Sequence, residues 1–310
     1  MEKDGENRAL DPQTPSIQEV IAMLWKITKE KIVNPVRRAA FQTVYKGHLP
    51  LSFCDCSNWG DALSPVLCQY LSGLPIKKML WHHQNRYLAI GSILGQANAR
   101  AEVWGSGFIR QDEKLAEPPK KIHAVRGPRT RESLLKQGID CPEVYGDPAL
   151  LFPFFYNPLV EKKFAVGIIP HYSDKSVAWL KHQGHDPSVR IIDVEGGIEQ
   201  FVREIKSCEL IVSSSLHGLI CADAYGVPNV WVKLSDQLMG GDFKFCDYYE
   251  SVGRDTPVPF IPQEKTPLSD IVLSLQPYEI KINLRPLVKS CPFINREVLD
   301  DLLVLLSVNN

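Results

Sequence analysis

A chain of 310 residues is longer than a single hydrophobic core usually grows, so two lobes of roughly 100 to 150 residues each are expected. Hydrophobic residues make up 44% and charged residues 23%, an ordinary globular balance that excludes a disordered chain except at its ends. Thirty-five basic against 36 acidic residues leave a net charge of −1, too little field to draw the protein onto nucleic acid.

Eight cysteines scatter from Cys54 to Cys291 with no compact framework and no signal peptide ahead of them, which reads as reduced thiols in a cytoplasmic protein. Cys54 and Cys56 are a close pair, but no second Cys or His pair stands at metal-ligand spacing, so no metal site is expected. The stretch Leu210 to Ala222 lacks Asp, Glu, Lys and Arg, yet it carries three serines and a histidine. It falls short of the roughly 20 apolar residues a spanning helix needs, and no membrane crossing is expected.

Along the chain, residues 1–15 mix charge with two prolines and read as a flexible tail. Ile17, Val20, Ile21, Leu24 and Ile27 then recur at helical spacing, with Ser16 and Glu19 placed as a capping box. Lys26, Lys29, Lys31, Arg37 and Arg38 follow closely. They suit either a solvated helix face or peripheral contact with an anionic membrane surface.

Residues 16–150 read as a first Rossmann-like domain, because from about residue 45 short apolar runs alternate with glycine-bearing turns and helical patterns. Tyr87–Ile90 runs into Gly91, Ala101–Trp104 into Gly105-Ser106-Gly107, and Ile122–Val125 into Arg126-Gly127-Pro128. Thr130–Lys136 reads as a helix stopped by Gly138, and Val144-Tyr145 meets Gly146-Asp147-Pro148. Residues 151–163, with two prolines and a charged end, read as a linker.

The second domain, 164–262, begins with a strand at Phe164–Ile169 that ends in Pro170-His171. Further strands are expected at Arg190–Val194, Glu209–Val212 and Asn229–Val232. Helices are expected from Ile198, with Phe201, Val202 and Ile205 on one face, and over Leu216–Tyr225. Residues 235–262 show little periodicity and read as loops around a cleft. The segment 263–310, with Val298, Leu302, Leu303 and Leu306, reads as helical and as packing back on the first domain. The fold class is therefore α/β, with two Rossmann-like domains of parallel sheet facing across a cleft.

In such sheets ligands bind beyond the carboxyl ends of the strands, and that rule selects the site candidates. Ser213-Ser214-Ser215-Leu216-His217-Gly218 ends a strand and opens a helix, where amide donors and dipole favour a phosphate or carboxylate. His217 in the first turn reads as a neutral imidazole available as a base, or as a core histidine beneath capping serines. Arg126 reads as a bidentate anion contact or as the partner of a nearby acid. Asp147 either binds a hydroxyl or caps the next helix. Asn58, Gly60 and Asp61 form a loop that suits sugar hydroxyls, and Ser106, Gly107 and His171 occupy strand-end positions. A full dinucleotide fingerprint and a Walker lysine are both missing, so neither a nicotinamide cofactor nor ATP is expected.

Taken together and in order, Asn58-Trp59-Gly60-Asp61-Ala62-Leu63, Gly91-Ser92-Ile93-Leu94, Val103-Trp104-Gly105-Ser106-Gly107, Val125-Arg126-Gly127-Pro128-Arg129-Thr130, Gly146-Asp147-Pro148-Ala149 and Ser214-Ser215-Leu216-His217-Gly218 resemble the polysaccharide pyruvyl transferase family. The resemblance covers about residues 50–235. It implies a GT-B-like fold and transfer of pyruvate from phosphoenolpyruvate, as a ketal, to a sugar of a surface polysaccharide or its lipid-linked precursor. It further implies His217 as general acid or base, and Arg126, Ser213, Ser214, Ser215, Leu216, Gly218 and His171 on the donor side. Asn58, Gly60, Asp61, Ser106, Gly107 and Asp147 fall on the acceptor side, and no metal or redox cofactor is required.

Several relatives carry arginine immediately before the Leu-His pair, where this chain has Ser215. Either Arg126, Lys233 or Lys244 replaces that charge, or the donor site is weakened. Two other readings share the architecture. One is a glycosyltransferase using a nucleotide sugar, with Asp193 and Glu195 as its ribose contacts. The other is a non-catalytic sugar-binding or scaffold protein.

Overall fold

The computed structural model describes residues 47–56, 58–79, 85–236, 240–255 and 258–308. The tail and the basic helix expected before residue 47 lie outside the described residues.

In chain order the first half contains β1 (Leu49–Ser52), α1 (Trp59–Ser72), β2 (Ile76–Lys78), β3 (Arg86–Leu88), β4 (Ala101–Trp104), β5 (Lys121–Ala124) and α2 (Pro128–Lys136). The second half contains β6 (Phe164–Ile169), α3 (Ala178–Gln183), β7 (Val189–Ile191), α4 (Ile198–Lys206), β8 (Cys208–Ser213), α5 (Leu216–Ala224), β9 (Asn229–Trp231) and α6 (Phe243–Ser251). The helices α7 (Leu268–Leu273), α8 (Arg285–Lys289) and α9 (Arg296–Val308) close the chain.

The strands form two wholly parallel sheets, ordered β2-β1-β3-β4-β5 and β7-β6-β8-β9. In both, the chain runs outward from its first strand to one edge, then returns to the other side of it. That reversal places a topological switch point between β1 and β3, and another between β6 and β8, where neighbouring connections leave the sheet in opposite directions and open a crevice.

β8 reads Leu-Ile-Val without alternation because both faces are covered, and Leu210, Ile211 and Val212 are all buried. α4 buries Phe201, Val202 and Ile205 and turns Arg203 outward, as its period predicts. α5 is buried on every side, packed against α1, α4 and the 3-10 turn Pro148–Phe154. One hydrophobic cluster consequently contains Leu51, Trp59 and Leu63 from the first half together with Ile169, Phe201, Leu219 and Ile220 from the second.

Residues 151–163, read as a linker from their prolines, begin inside this core, where Leu151, Phe152 and Phe155 are buried. Pro153 lies inside the 3-10 turn Pro148–Phe154, and Pro158 lies in the irregular stretch that follows. At the C-terminal end, the Trp104 indole N–H donates to the Leu287 carbonyl at 2.9 Å and the Asn295 amide to the Leu71 carbonyl at 2.8 Å. The last helices thus cover the first sheet.

Two local expectations are corrected. Gly60 and Asp61 lie in the first turn of α1, not in a loop, because Trp59 is drawn into the core and the Asn58 carbonyl accepts the first helical bond from Ala62. Residues 243–251, expected as loop, form α6; Phe245, Cys246, Asp247, Tyr248 and Tyr249 are all buried, so no polar stripe marks the helical period.

Candidate active site

The residues at the two switch points converge. β6 ends at Pro170-His171 and β8 at Ser213-Ser214, and the His171 amide donates to Ser214 Oγ at 2.9 Å. Ser214 Oγ in turn donates to Asp174 at 2.6 Å. Ser213 Oγ bonds the carbonyls of Ile169 and Ser215 and accepts the Ser215 amide. Two of the three serine hydroxyls therefore build the turn itself.

The third does not. Ser215 caps α5 by position only; its Oγ is buried without a hydrogen-bond partner among the described residues. The first bond of the α5 ladder runs from Leu219 N to Ser215 O, so the amides of Leu216, His217 and Gly218 precede it. Unspent donors at a helix N-terminus favour an anion.

His217 projects from this turn towards the first half. Its Nδ1 lies 2.9 Å from Asn58 Oδ1. An amide oxygen only accepts, so Nδ1 is the donor in this contact and Nε2 is not engaged by it. The ring is packed against Gly60, where an added Cβ would fall inside its van der Waals envelope. Glycine at that position is a condition of the contact. The pairing is secured nearby by the Trp59 amide, which donates to the Val194 carbonyl at 2.9 Å, and by the Trp59 indole N–H, which donates to Ile198 at 3.2 Å.

Asp147 lies fully buried close to this pair. One carboxylate oxygen caps the following 3-10 turn by accepting the Ala149 amide at 3.0 Å, and the other, Oδ2, has no partner. Burial pushes its pKa up, opposed in part by the nearby His217. The capping alternative for Asp147 is thus the arrangement found, with one oxygen left over. His171 is held well below the usual imidazole range, at about 4, by burial and then by the charge of Lys244. Its Nδ1 faces Ser173.

The cations divide. Arg126 is completely buried: Nε donates to Asp247 at 2.9 Å, Nη1 to Ser92 Oγ at 2.6 Å and Nη2 to the Phe108 carbonyl at 2.7 Å. Of the two alternatives for Arg126, the acid partner is present in this arrangement: the guanidinium is buried and paired with Asp247. Gly107 leaves room for it, since a Cβ there would lie 2.6 Å from the guanidinium carbon. Ser106 Oγ is likewise engaged, donating to the Gly91 carbonyl at 2.8 Å. Lys233 pairs with Asp236 at 2.9 Å.

Lys244 differs. It is buried on α6, three residues before Asp247, with its ammonium 5.5 Å from the Phe245 ring and no salt bridge or hydrogen bond among the described residues. Burial, then Arg126, lowers its pKa to about 8, while Asp61 and Asp174 oppose the shift from a distance. Sequence reasoning named Lys244 only as one substitute among three; the signal that separates it from the others is pairing, which a sequence does not display.

Asp193 and Glu195, the carboxylates considered for ribose, both bind Lys175, at 2.7 and 2.6 Å. Among the described residues no helix is long and apolar enough to cross a membrane.

Two parallel sheets, with a histidine and an anion-favouring helix start where residues of their switch points meet, mark an α/β protein with a candidate anion site. The family described as Polysaccharide pyruvyl transferase matches residues 80–236, half of the chain, and the chain belongs to that family. It is 33% identical over 170 residues to an uncharacterised protein of Acanthamoeba polyphaga mimivirus, covering 53% of this chain and 59% of that one. It is 30% identical over 207 residues to the succinoglycan biosynthesis protein ExoV of Rhizobium meliloti, covering 63% of this chain and 62% of that one. The chain thus spans about three fifths of the length of these curated relatives. Asn58, Gly60, Asp61 and Lys244 lie outside the family-matched span.

Proposed function

We propose that this chain transfers pyruvate from phosphoenolpyruvate, as a ketal, to two hydroxyls of a sugar in a surface polysaccharide or its lipid-linked precursor. It would work in the cytoplasm, with a GT-B-like pair of domains closing on donor and acceptor. The observation that carries this reading is the His217–Asn58 hydrogen bond, which joins the switch points of the two sheets.

Phosphoenolpyruvate is a small trianion, and its recognition depends on charge and amide donors more than on an apolar pocket. The start of α5 supplies the amides, and Lys244 supplies the cation that relatives take from an arginine at the position of Ser215. Arg126 acts from behind, through its field, while holding Asp247 and the strand-end loops in place.

The reaction protonates the methylene carbon of the donor, and one sugar hydroxyl bonds to the cationic carbon so formed, losing its proton. The C–O bond to phosphate then breaks, and the second hydroxyl closes the ketal. One hydroxyl proton balances the new methyl group and the other leaves on hydrogen phosphate. His217, oriented by Asn58, moves a proton through Nε2, a role typically worth ~10² to 10⁴ in rate. Ser215 Oγ and Asp147 Oδ2, buried without partners, are left to bond substrate groups once these enter.

Thermal unfolding tests the reading, because a ligand at ~100 times its dissociation constant stabilises the native state by about 2.7 kcal/mol. Phosphoenolpyruvate is expected to raise the melting temperature of the wild type and of His217→Ala, but not of Lys244→Met. Pyruvate transfer to a sugar diol is expected to fall by the factor above in His217→Ala. A shift with nucleotide sugars and none with phosphoenolpyruvate would replace this reading with a glycosyltransferase.

A further inference from the structure

The loop from β1 to α1 brings two cysteines, which have no part in the proposed transfer, up to Asp61 in the first turn of α1. Cys54, Cys56 and Asp61 each offer one ligand atom, and these atoms lie within 4.8 Å of one another. The Cys56 thiol donates to Asp61 Oδ2 at 3.0 Å, so a proton already occupies a position between two would-be anions. Cys54 and Cys56 stand two apart in irregular chain, and Asp61 comes from the first turn of α1. The helix start thereby supplies the third ligand that no Cys or His pair supplies in the sequence.

We propose that Cys54, Cys56 and Asp61 bind one thiophilic divalent cation of the zinc class. Two thiolates and a carboxylate suit zinc or cadmium rather than magnesium or calcium, which take all-oxygen sets. Three protein ligands leave a fourth position, and exposure of Cys54 opens that position to solvent. Metal binding would replace the proton that Cys56 now donates to Asp61. The ion would tie the β1 loop to the α1 start that carries Asn58 and Gly60.

The other six cysteines are buried, which makes the test specific to this pair. The full chain, reduced and freed of metal, is titrated with cadmium while the ultraviolet thiolate-to-metal absorption is followed, then back-titrated with zinc. One equivalent is expected to saturate the band and zinc to abolish it. Cys54→Ser, an exposed substitution that leaves the fold intact, is expected to weaken binding by roughly tenfold or more, and Cys54→Ser with Cys56→Ser to eliminate the band. No band in the reduced wild type, or an undiminished band in the double variant, would overturn the proposal.

Discussion

Arg126 and Lys244 are two buried cations, and α6 treats them oppositely. α6 gives Arg126 a carboxylate, Asp247, which also accepts from the Thr130 amide and hydroxyl at 2.8 and 2.7 Å. One turn earlier the same helix holds Lys244 with no counter-ion among the described residues. A paired and saturated charge serves the fold, whereas an unpaired one raises the free energy of the native state until a ligand arrives. The arginine conspicuous in sequence is spent on a buried ion pair, and the inconspicuous lysine, without such a partner among the described residues, becomes a candidate anion contact.

The sharpest break of this comparison is Arg126→Met, which strands Asp247 and is expected to destabilise the protein by about 3–5 kcal/mol in denaturant unfolding. A loss below about 1 kcal/mol would mean that the pair is not structural. Lys244→Met goes the other way. The folded pKa of about 8 lies below the usual 10.5, so the native state binds fewer protons than the unfolded chain between those values, and stability rises with pH there. At pH 7 the full penalty is present, and replacing Lys244 with Met should stabilise the protein by roughly 1–3 kcal/mol, an advantage that fades as pH approaches about 10.5. Equal melting temperatures of variant and wild type at pH 7 would remove the basis for calling this lysine strained.

Ligand binding sharpens the same contrast. Donor affinity carried by the Lys244 ammonium should fall above pH about 8, by up to about tenfold (1.4 kcal/mol) per unit, when the melting shift with phosphoenolpyruvate is followed from pH 6 to 10. A flat profile would assign the anion to other groups. The smallest expected effect is that of Gly60→Ala. Helix propensity alone would make alanine more stable by up to about 1 kcal/mol, but its Cβ would displace the His217 ring from Asn58. Activity should fall with little gain in stability, and full activity would show that the ring contact is dispensable.

The difference between what was legible and what was not follows the same line. Ala101–Trp104 and Phe164–Ile169 are strands where their apolar runs place them, and Leu216 opens a helix after the serines, because these signals lie within a few neighbouring residues. α6 was not legible, since a helix buried all round has no polar face to set its period.

The sequence by itself thus determined the α/β class, the parallel strands and their carboxyl-end loops, and with them the neighbourhood of His217. Periodicity and turn chemistry are local, and burial reinforces them. Tertiary structure alone decided which charges are paired. Asn58 meets His217 from 159 positions away, and Asp247 reaches Arg126 from 121. It also decided that Asp61 turns back towards Cys56 at the start of α1. Hydrogen bonds and ion pairs act over a few ångströms, so only the packing of distant segments determines whether a polar side chain is spent on the fold or left for a ligand.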